Sequence, residues 1–403
     1  MEINILLQLL KKATEYGKIK KILLEIKDVE MSKKRSGRSE VVIEIKPSFL
    51  IILITTFVLL IALAVGLVVV MNGDFDRTSN NGGGGGSKGG KDKTTQTTTG
   101  DNNKPSVPAG TNNTPLFPTA ETRDSYSIST AADVVTLTDD SFIKSNNTIL
   151  VKVGADSLVS VVEKNADAKM YPASMTKVMT LIVACERVTD LDKKLEVTAE
   201  IAKFAEDNDG SGAGLKVGES YTVKDLLYLI SYKSDTIASL LIAEHIAGSE
   251  AAFVDLMNQK VQSLGLTGTH FANCTGLYHA ENYSTCRDIA TIMAYALDNE
   301  MAFKVLSSYT GYKMTVGGVD CTFYSGWYSG RARFADNPRL STVTVKAAKT
   351  GYIDESGISL VSYAVGKDGS KYINVIVGKP KGSGLTESMS TSEVKLIYNT
   401  YAK

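Results

Sequence analysis

Apolar and polar positions alternate regularly only in the second part of the chain. Strand-like alternation at 148–153 and 158–163 predicts two β-strands, and β-rich segments at 343–349, 358–365 and 372–377 predict three more. Between the two groups the pattern is helical, running to about residue 306, and a last helical stretch covers 392–401. Strands at both ends with helices between them predict an α/β domain whose sheet is closed by the two ends of the domain. Within the helical part, residues 178–183 are apolar nearly all round and Pro172 suits the first turn ahead of them, so a helix buried in the core is expected there.

Before residue 125 the chain is a different kind of polymer. Residues 1–46 hold 11 Lys and Arg against 7 Asp and Glu, with apolar clusters at 5–10 and 22–26, and read as a basic cytoplasmic tail. Residues 49–71, inside a segment placed at 47–72, run for 23 positions without a charge, enough to cross a bilayer as one helix. That length exceeds the apolar core of a cleaved signal peptide, so a retained transmembrane anchor is expected. Lys33, Lys34, Arg35, Arg38 and Lys46 precede the span, which predicts a cytoplasmic N-terminus and an extracellular domain at the plasma membrane. Residues 73–124 are rich in Gly, Ser, Thr and Asn and cannot bury a core. They read as a flexible linker with a root-mean-square reach of about 40 Å, leaving 125–403 as the folded domain.

Composition removes some functions. A net charge of zero gives nucleic acid no electrostatic hold. The three histidines, His245, His270 and His279, lie outside any nucleophile-elbow context, and His279 with Cys274 and Cys286 fits no zinc-ligand spacing, so no metal and no cofactor is expected. On the predicted topology Cys185, Cys274, Cys286 and Cys321 all lie outside the cell, where a disulfide such as Cys274 to Cys286 is chemically allowed.

Three Ser-x-x-Lys pairs occur, Ser141/Lys144, Ser174/Lys177 and Ser392/Lys395. Only Ser174/Lys177 precedes the apolar helix, where i and i+3 share a face and a desolvated lysine loses its proton readily enough to serve as the base for a serine. A polar turn with Ser234 and Thr236 lies before a further apolar helix, and Lys349, Thr350 and Gly351, the only Lys-Thr-Gly, end a predicted strand next to Tyr352.

In the order Ser174-x-x-Lys177, Ser234-x-Thr236, Lys349-Thr350-Gly351, the motifs resemble the penicillin-binding protein and serine β-lactamase superfamily. The segments around Gly214 to Glu219, Leu226 to Tyr228, Ala243 to Gly248, and His270 to Asn273 with Gly276 and Leu277 are similar to the low-molecular-mass D-alanyl-D-alanine carboxypeptidases. The resemblance covers about 125–403. It implies a β-lactamase/transpeptidase-like fold with an antiparallel sheet, flanking helices and a large helical insertion. It also implies a stem peptide of peptidoglycan ending in D-Ala-D-Ala as substrate, and β-lactams as covalent inhibitors. Carried over by residue, Ser174 is the nucleophile and Lys177 its base, and Ser234 passes a proton to the leaving D-alanine. Lys349 attracts the terminal carboxylate and keeps Lys177 neutral by like-charge repulsion, while Thr350 hydrogen-bonds that carboxylate. Gly351 and Tyr352 complete the strand motif, and the backbone N–H groups of Ser174 and Tyr352 form the oxyanion hole. Thr236 departs from the family's usual Asn, which puts its contact with the substrate backbone in question. Two other readings share the motifs: a serine β-lactamase, although no class A Glu-x-x-Leu-Asn segment is visible between Thr236 and Lys349, and a weakly catalytic β-lactam-sensing or wall-binding module.

Overall fold

The computed structural model describes residues 116–117, 123, 125–139, 141–327, 340–379, 381 and 387–402. The tail 1–46, the expected span 47–72 and all but three residues of the linker 73–124 lie outside the described residues. Among those described, no single helix is long and apolar enough to cross a membrane. The chain touches the domain before Ser125: Leu116 N–H donates to Val188 O at 3.0 Å, and Arg123 Nη1 donates to Gly154 O at 2.7 Å.

One six-stranded sheet organises the domain. Its strands are β1 (Ile128–Thr136), β2 (Asn147–Val153), β3 (Leu158–Lys164), β8 (Val343–Ile353), β9 (Gly357–Gly366) and β10 (Lys371–Val377), in the spatial order β1-β3-β2-β10-β9-β8. The two ends of the domain meet where β2 pairs antiparallel with β10, Lys371 opposite Val153. The expectation of an antiparallel sheet needs one correction, because edge strand β1 runs parallel to β3. The connection explains it. Thr136 pairs with Glu163 at the end of β3, and Thr148 pairs with Lys164 beside it, so a short segment turning over the end of β3 suffices to start β2.

The helical insertion begins with a 3-10 turn, Ala173–Met175, running into α1 (Thr176–Cys185). All ten residues of α1 are buried, as the unbroken apolar run predicts. Each fully buried Leu, Ile or Val there contributes about 1.5–3 kcal/mol. The insertion is not continuously helical to residue 306. A short hairpin of β4 (Lys194–Glu196) and β5 (Ser220–Thr222) brackets α2 (Ala199–Asp207), the chain reversing at Gly218 with φ +81°. The expected helix at 223–230 is α3 (Val223–Tyr232), started by a Thr222/Asp225 capping box. The helix expected from Ala238 is α4 (Thr236–Ala247), capped by Asp235. Then come α5 (Glu250–Ser263), α6 (Cys286–Leu297) and α7 (Glu300–Ser307), followed by a hairpin of β6 (Tyr312–Val316) and β7 (Val319–Phe323) that the sequence pattern does not announce. The final helix, α8 (Glu387–Tyr401), packs Val394, Ile397 and Tyr398 into the second of two apolar clusters, with Trp327 and Tyr372, while the larger cluster joins the sheet to α1, α3, α4 and α6. All four cysteines are free thiols, so the Cys274 to Cys286 disulfide is not formed.

Candidate active site

Ser174 sits in the 3-10 turn, one step ahead of the α-helix proper, so its hydroxyl stands at the end of α1 rather than inside it. The turn is unusual in its backbone. Ala173 has φ +49°, a left-handed conformation that costs a residue with a Cβ about 1–2 kcal/mol. Packing holds it there: Gly276, itself at φ +74°, comes so near that any Cβ on it would run into the Ala173 carbonyl. On the other side β8 passes against the same turn, and a Cβ on Gly351 would lie 2.9 Å from Ser174 N. The backbone around Ser174 is thus clamped between two glycines.

The i to i+3 spacing does what it predicts. Lys177 Nζ lies 3.5 Å from Ser174 Oγ, and it also donates to the carbonyl of Thr275. The lysine is 1% exposed, and that burial brings its pKa down to about 8, against opposing pulls from Cys274, Asp235 and Glu250. With a pKa of about 8, roughly a tenth of the amine is neutral near pH 7, and that fraction, within reach of a hydroxyl, is a base for an alcohol.

A second lysine closes the site from the sheet. Lys349 Nζ donates to Ser234 Oγ at 2.9 Å and to Thr350 O at 2.7 Å, and the side chain is likewise 1% exposed. Burial, and after it the charge of Lys177, hold Lys349 well below the usual lysine range. The expected effect of Lys349 on Lys177 is therefore recast: desolvation comes first for both, and like-charge repulsion registers on Lys349. Ser234 also has positive φ, +54°, at the hinge between α3 and α4.

The remaining sequence-derived residues fall as follows. The Thr350 side chain faces Gly326, where a Cβ would lie 3.4 Å from Thr350 Oγ1. Tyr352 is half exposed, and its hydroxyl donates to Asp354. Thr236 is buried; its N–H donates to Ser211 O at 2.8 Å, its hydroxyl has no hydrogen-bond partner among the described residues, and a Cβ on Gly210 would lie 2.9 Å from it. The other two Ser-x-x-Lys serines stand elsewhere: Ser141 donates to Ile143 O ahead of β2, and Ser392 is on the exposed side of α8.

A family model for D-alanyl-D-alanine carboxypeptidases, peptidase family S11, matches residues 127–381, more than half of the chain. The chain belongs to this family. Among curated relatives, the D-alanyl-D-alanine carboxypeptidase DacF of Bacillus subtilis is 33% identical over 215 residues, covering 53% of each chain. DacA of Escherichia coli is 34% identical over 215 residues, 50% of this chain and 49% of the relative. The chain spans about half the length of the curated relatives it matches. Among solved structures, a mutant of the Streptomyces K15 DD-transpeptidase matches with a TM-score of 0.55 and 25% identity over 64% of this chain and 97% of that one. Penicillin-binding protein 5 of Haemophilus influenzae matches with a TM-score of 0.52 and 25% identity over 65% and 72%.

For a member of the carboxypeptidase family, this site has contributors that no motif count reveals. The loop 273–277 supplies the Thr275 carbonyl to Lys177. The sequence marks the loop by its family-like segment His270 to Leu277, in which Asn273 Oδ1 accepts from the Thr275 and Gly276 N–H groups at 3.2 and 2.7 Å, but not the use of the Thr275 carbonyl. Asp235, between Ser234 and Thr236, is fully buried; it accepts from Ala238 N–H at 2.8 Å and Ala213 N–H at 2.7 Å, and burial raises its pKa. That carboxylate ties the Ser234 turn to the glycine-bearing segment 210–214. Among the described residues, no group of three or more His, Cys, Asp and Glu side chains converges as metal ligands.

Proposed function

We propose that the chain is a serine D,D-carboxypeptidase that removes the terminal D-alanine from peptidoglycan stem peptides through an acyl-enzyme on Ser174. The observation that carries this reading is the meeting of Ser174 and Lys177, Ser234, and Lys349 from three separate stretches of sequence, with both lysines buried. The Lys177 amine takes the Ser174 proton as Oγ attacks the carbonyl between the last two D-alanines. The oxygen of the tetrahedral adduct is stabilised by the N–H groups of Ser174 and Tyr352. The C–N bond then breaks, and the departing amine takes a proton through Ser234. Lys349 and Thr350 hold the substrate's free carboxylate, Gly351 lets β8 approach Ser174, and Thr236 lines the turn beside Ser234. Water cleaves the ester and returns the serine. β-Lactams acylate the same oxygen.

The test uses the full-length protein with a peptide ending in D-Ala-D-Ala and, separately, with penicillin followed by intact-mass measurement. Ser174→Ala is expected to lose D-alanine release by on the order of 10³-fold or more and to lose the penicillin adduct, whereas Ser141→Ala and Ser392→Ala keep both. An adduct that persists in Ser174→Ala overturns the assignment.

The same reading places the domain outside the cell, tethered through residues 49–71 with the N-terminus in the cytoplasm. Support comes from the uncharged span and the basic residues before it. Protease added to wall-stripped cells is expected to release the domain by cutting in 73–124 and to leave 1–46 protected. A freely secreted form starting after the span argues for a cleaved signal instead.

A further inference from the structure

We propose that Glu250, in the first turn of α5, is a positioning residue for the Lys177 amine, acting through the loop 273–277. The inference rests on the reading above, in which that amine is the base for Ser174.

The contacts form one continuous chain. Glu250 Oε1 accepts from Cys274 N–H at 3.1 Å and from the Cys274 thiol at 3.3 Å. The carbonyl of Cys274 accepts from Thr180 Oγ1 at 2.7 Å, one turn of α1 beyond Lys177. The next carbonyl, that of Thr275, accepts from Lys177 Nζ. Asn273 stiffens the loop from inside, accepting from Thr275 Oγ1 at 3.1 Å and donating to Leu277 O at 3.0 Å. Cys274 and Thr275 are both buried, so the loop is anchored by these bonds and not by water.

Two features separate this from a local helix cap. The N-terminus of α5 already has one, since Ser249 Oγ accepts from Ala252 N–H, and Glu250 instead reaches a segment 24 residues further on. The geometry at Lys177 also asks for an orienting group. A neutral amine has one lone pair, and donating a hydrogen to Thr275 O leaves that lone pair for the Ser174 hydroxyl 3.5 Å away. If the loop shifts, the lone pair turns from the hydroxyl.

The charge of Glu250 adds a second effect. The titratable groups facing Lys177 are Cys274 from the loop, Asp235 from the cap of α4, Glu250 from α5 and Lys349 from β8. Burial weakens Lys177 as a base, and the carboxylates of Asp235 and Glu250 pull the other way. A base that is too weak accepts the serine proton poorly, and one that is too strong stays protonated. Glu250 therefore sets both the direction and the strength of the amine.

Two variants of the full-length protein separate these roles when penicillin acylation is followed as a rate against pH. Glu250→Gln keeps an oxygen acceptor for Cys274 and removes the charge. It is expected to hold the plateau rate within about threefold, with the rise in rate displaced to lower pH because Lys177 gives up its proton more easily. Glu250→Ala removes the acceptor as well and is expected to slow acylation by about 10- to 100-fold, the scale of a misplaced catalytic group. If Glu250→Ala does not fold, as judged by its melting curve, Glu250→Gln decides alone, and a wild-type pH profile in it overturns the proposal. Wild-type rates in Glu250→Ala overturn it too. A wild-type protein that neither acylates nor releases D-alanine removes the parent reading and this one with it, whereas an active wild type with indifferent Glu250 variants removes this one only.

Discussion

Lys349 Nζ lies 2.9 Å from Ser234 Oγ, joining residues 115 apart in sequence by one hydrogen bond. The same nitrogen is turned back onto its neighbour's carbonyl at Thr350. Both contacts give the buried amine polar partners within the protein, which a desolvated nitrogen requires.

The first expectation concerns what the Lys349 amine reads. A carboxypeptidase needs a free terminal carboxylate, so Lys349→Ala should lower kcat/KM on the free acid by on the order of 10²-fold, the effect of truncating one partner of a buried charge pair. A substrate amidated at the terminal D-alanine should be poor with the wild type and proportionately less affected by the substitution. Both substrates on both proteins form a double-mutant cycle, and a coupling energy near zero would show that Lys349 does not recognise the carboxylate.

The pH dependence follows from Lys177. Its folded pKa is lowered to about 8, so below that pH the amine is protonated and cannot accept from Ser174. Acylation should rise about tenfold per pH unit at low pH and level off above about 8. Stability has the matching sign. The unfolded lysine titrates near 10.5, so between about 8 and 10.5 the unfolded chain binds the extra proton and this site favours folding more as pH rises. Lys177→Met should flatten that slope in denaturant titrations at several pH values.

Gly351→Ala tests the clamp around Ser174. The added methyl would stand 2.9 Å from Ser174 N and 3.2 Å from Met175 N, both backbone atoms that no rotamer change can move. A loss of about 1–3 kcal/mol in stability is expected for overpacking, with acylation slowed by about 10²-fold because the serine is displaced. Gly369→Ala is the control. Unlike Gly351, that glycine has positive φ, +86°, and no atom within 4 Å of its missing Cβ, so it should show backbone strain without loss of acylation.

Thr236→Asn would restore the residue the family ordinarily uses. On sequence grounds alone a faster enzyme is the natural expectation, since the amide reaches further than a hydroxyl. The packing argues otherwise. Thr236 Oγ1 lies so near Gly210 that a Cβ on that glycine would stand 2.9 Å from it, so a longer amide directed the same way is expected to cost about 1–3 kcal/mol by overpacking. Thermal melting should show the loss in Thr236→Asn and its partial recovery where the 208–213 segment is lengthened by one glycine.

What was legible in the sequence was whatever carries its own periodicity or its own chemistry. The strands β2 and β3 show by their alternation, β8, β9 and β10 as β-rich segments, α1 as an unbroken apolar run, and Ser174 with Lys177 by a spacing that a helix turns into contact. The hairpins β4–β5 and β6–β7 were not legible, because strands of three and five residues with half-exposed side chains bury too little to leave a pattern. The parallel direction of β1 was hidden for another reason: it depends on where the next connection lands. The Thr275 carbonyl and the Glu250 anchor act through backbone and through a fold-dependent approach, and neither is a property of residue type.

The closure of the sheet by β2 and β10 has a consequence for the order in which the molecule is made. Lys371 pairs with Val153, so more than half of the chain must be synthesised after β2 before its partner exists. Pairings of such sequence separation form late, since the intervening segment must first be brought to a compact path. Ser174, Lys177 and Ser234 all belong to the part made early, and Lys349 to the part made last. A nascent chain therefore carries the nucleophile and its base well before it carries the group that would hold a substrate's carboxylate, and chemistry at Ser174 waits for the final strands to arrive.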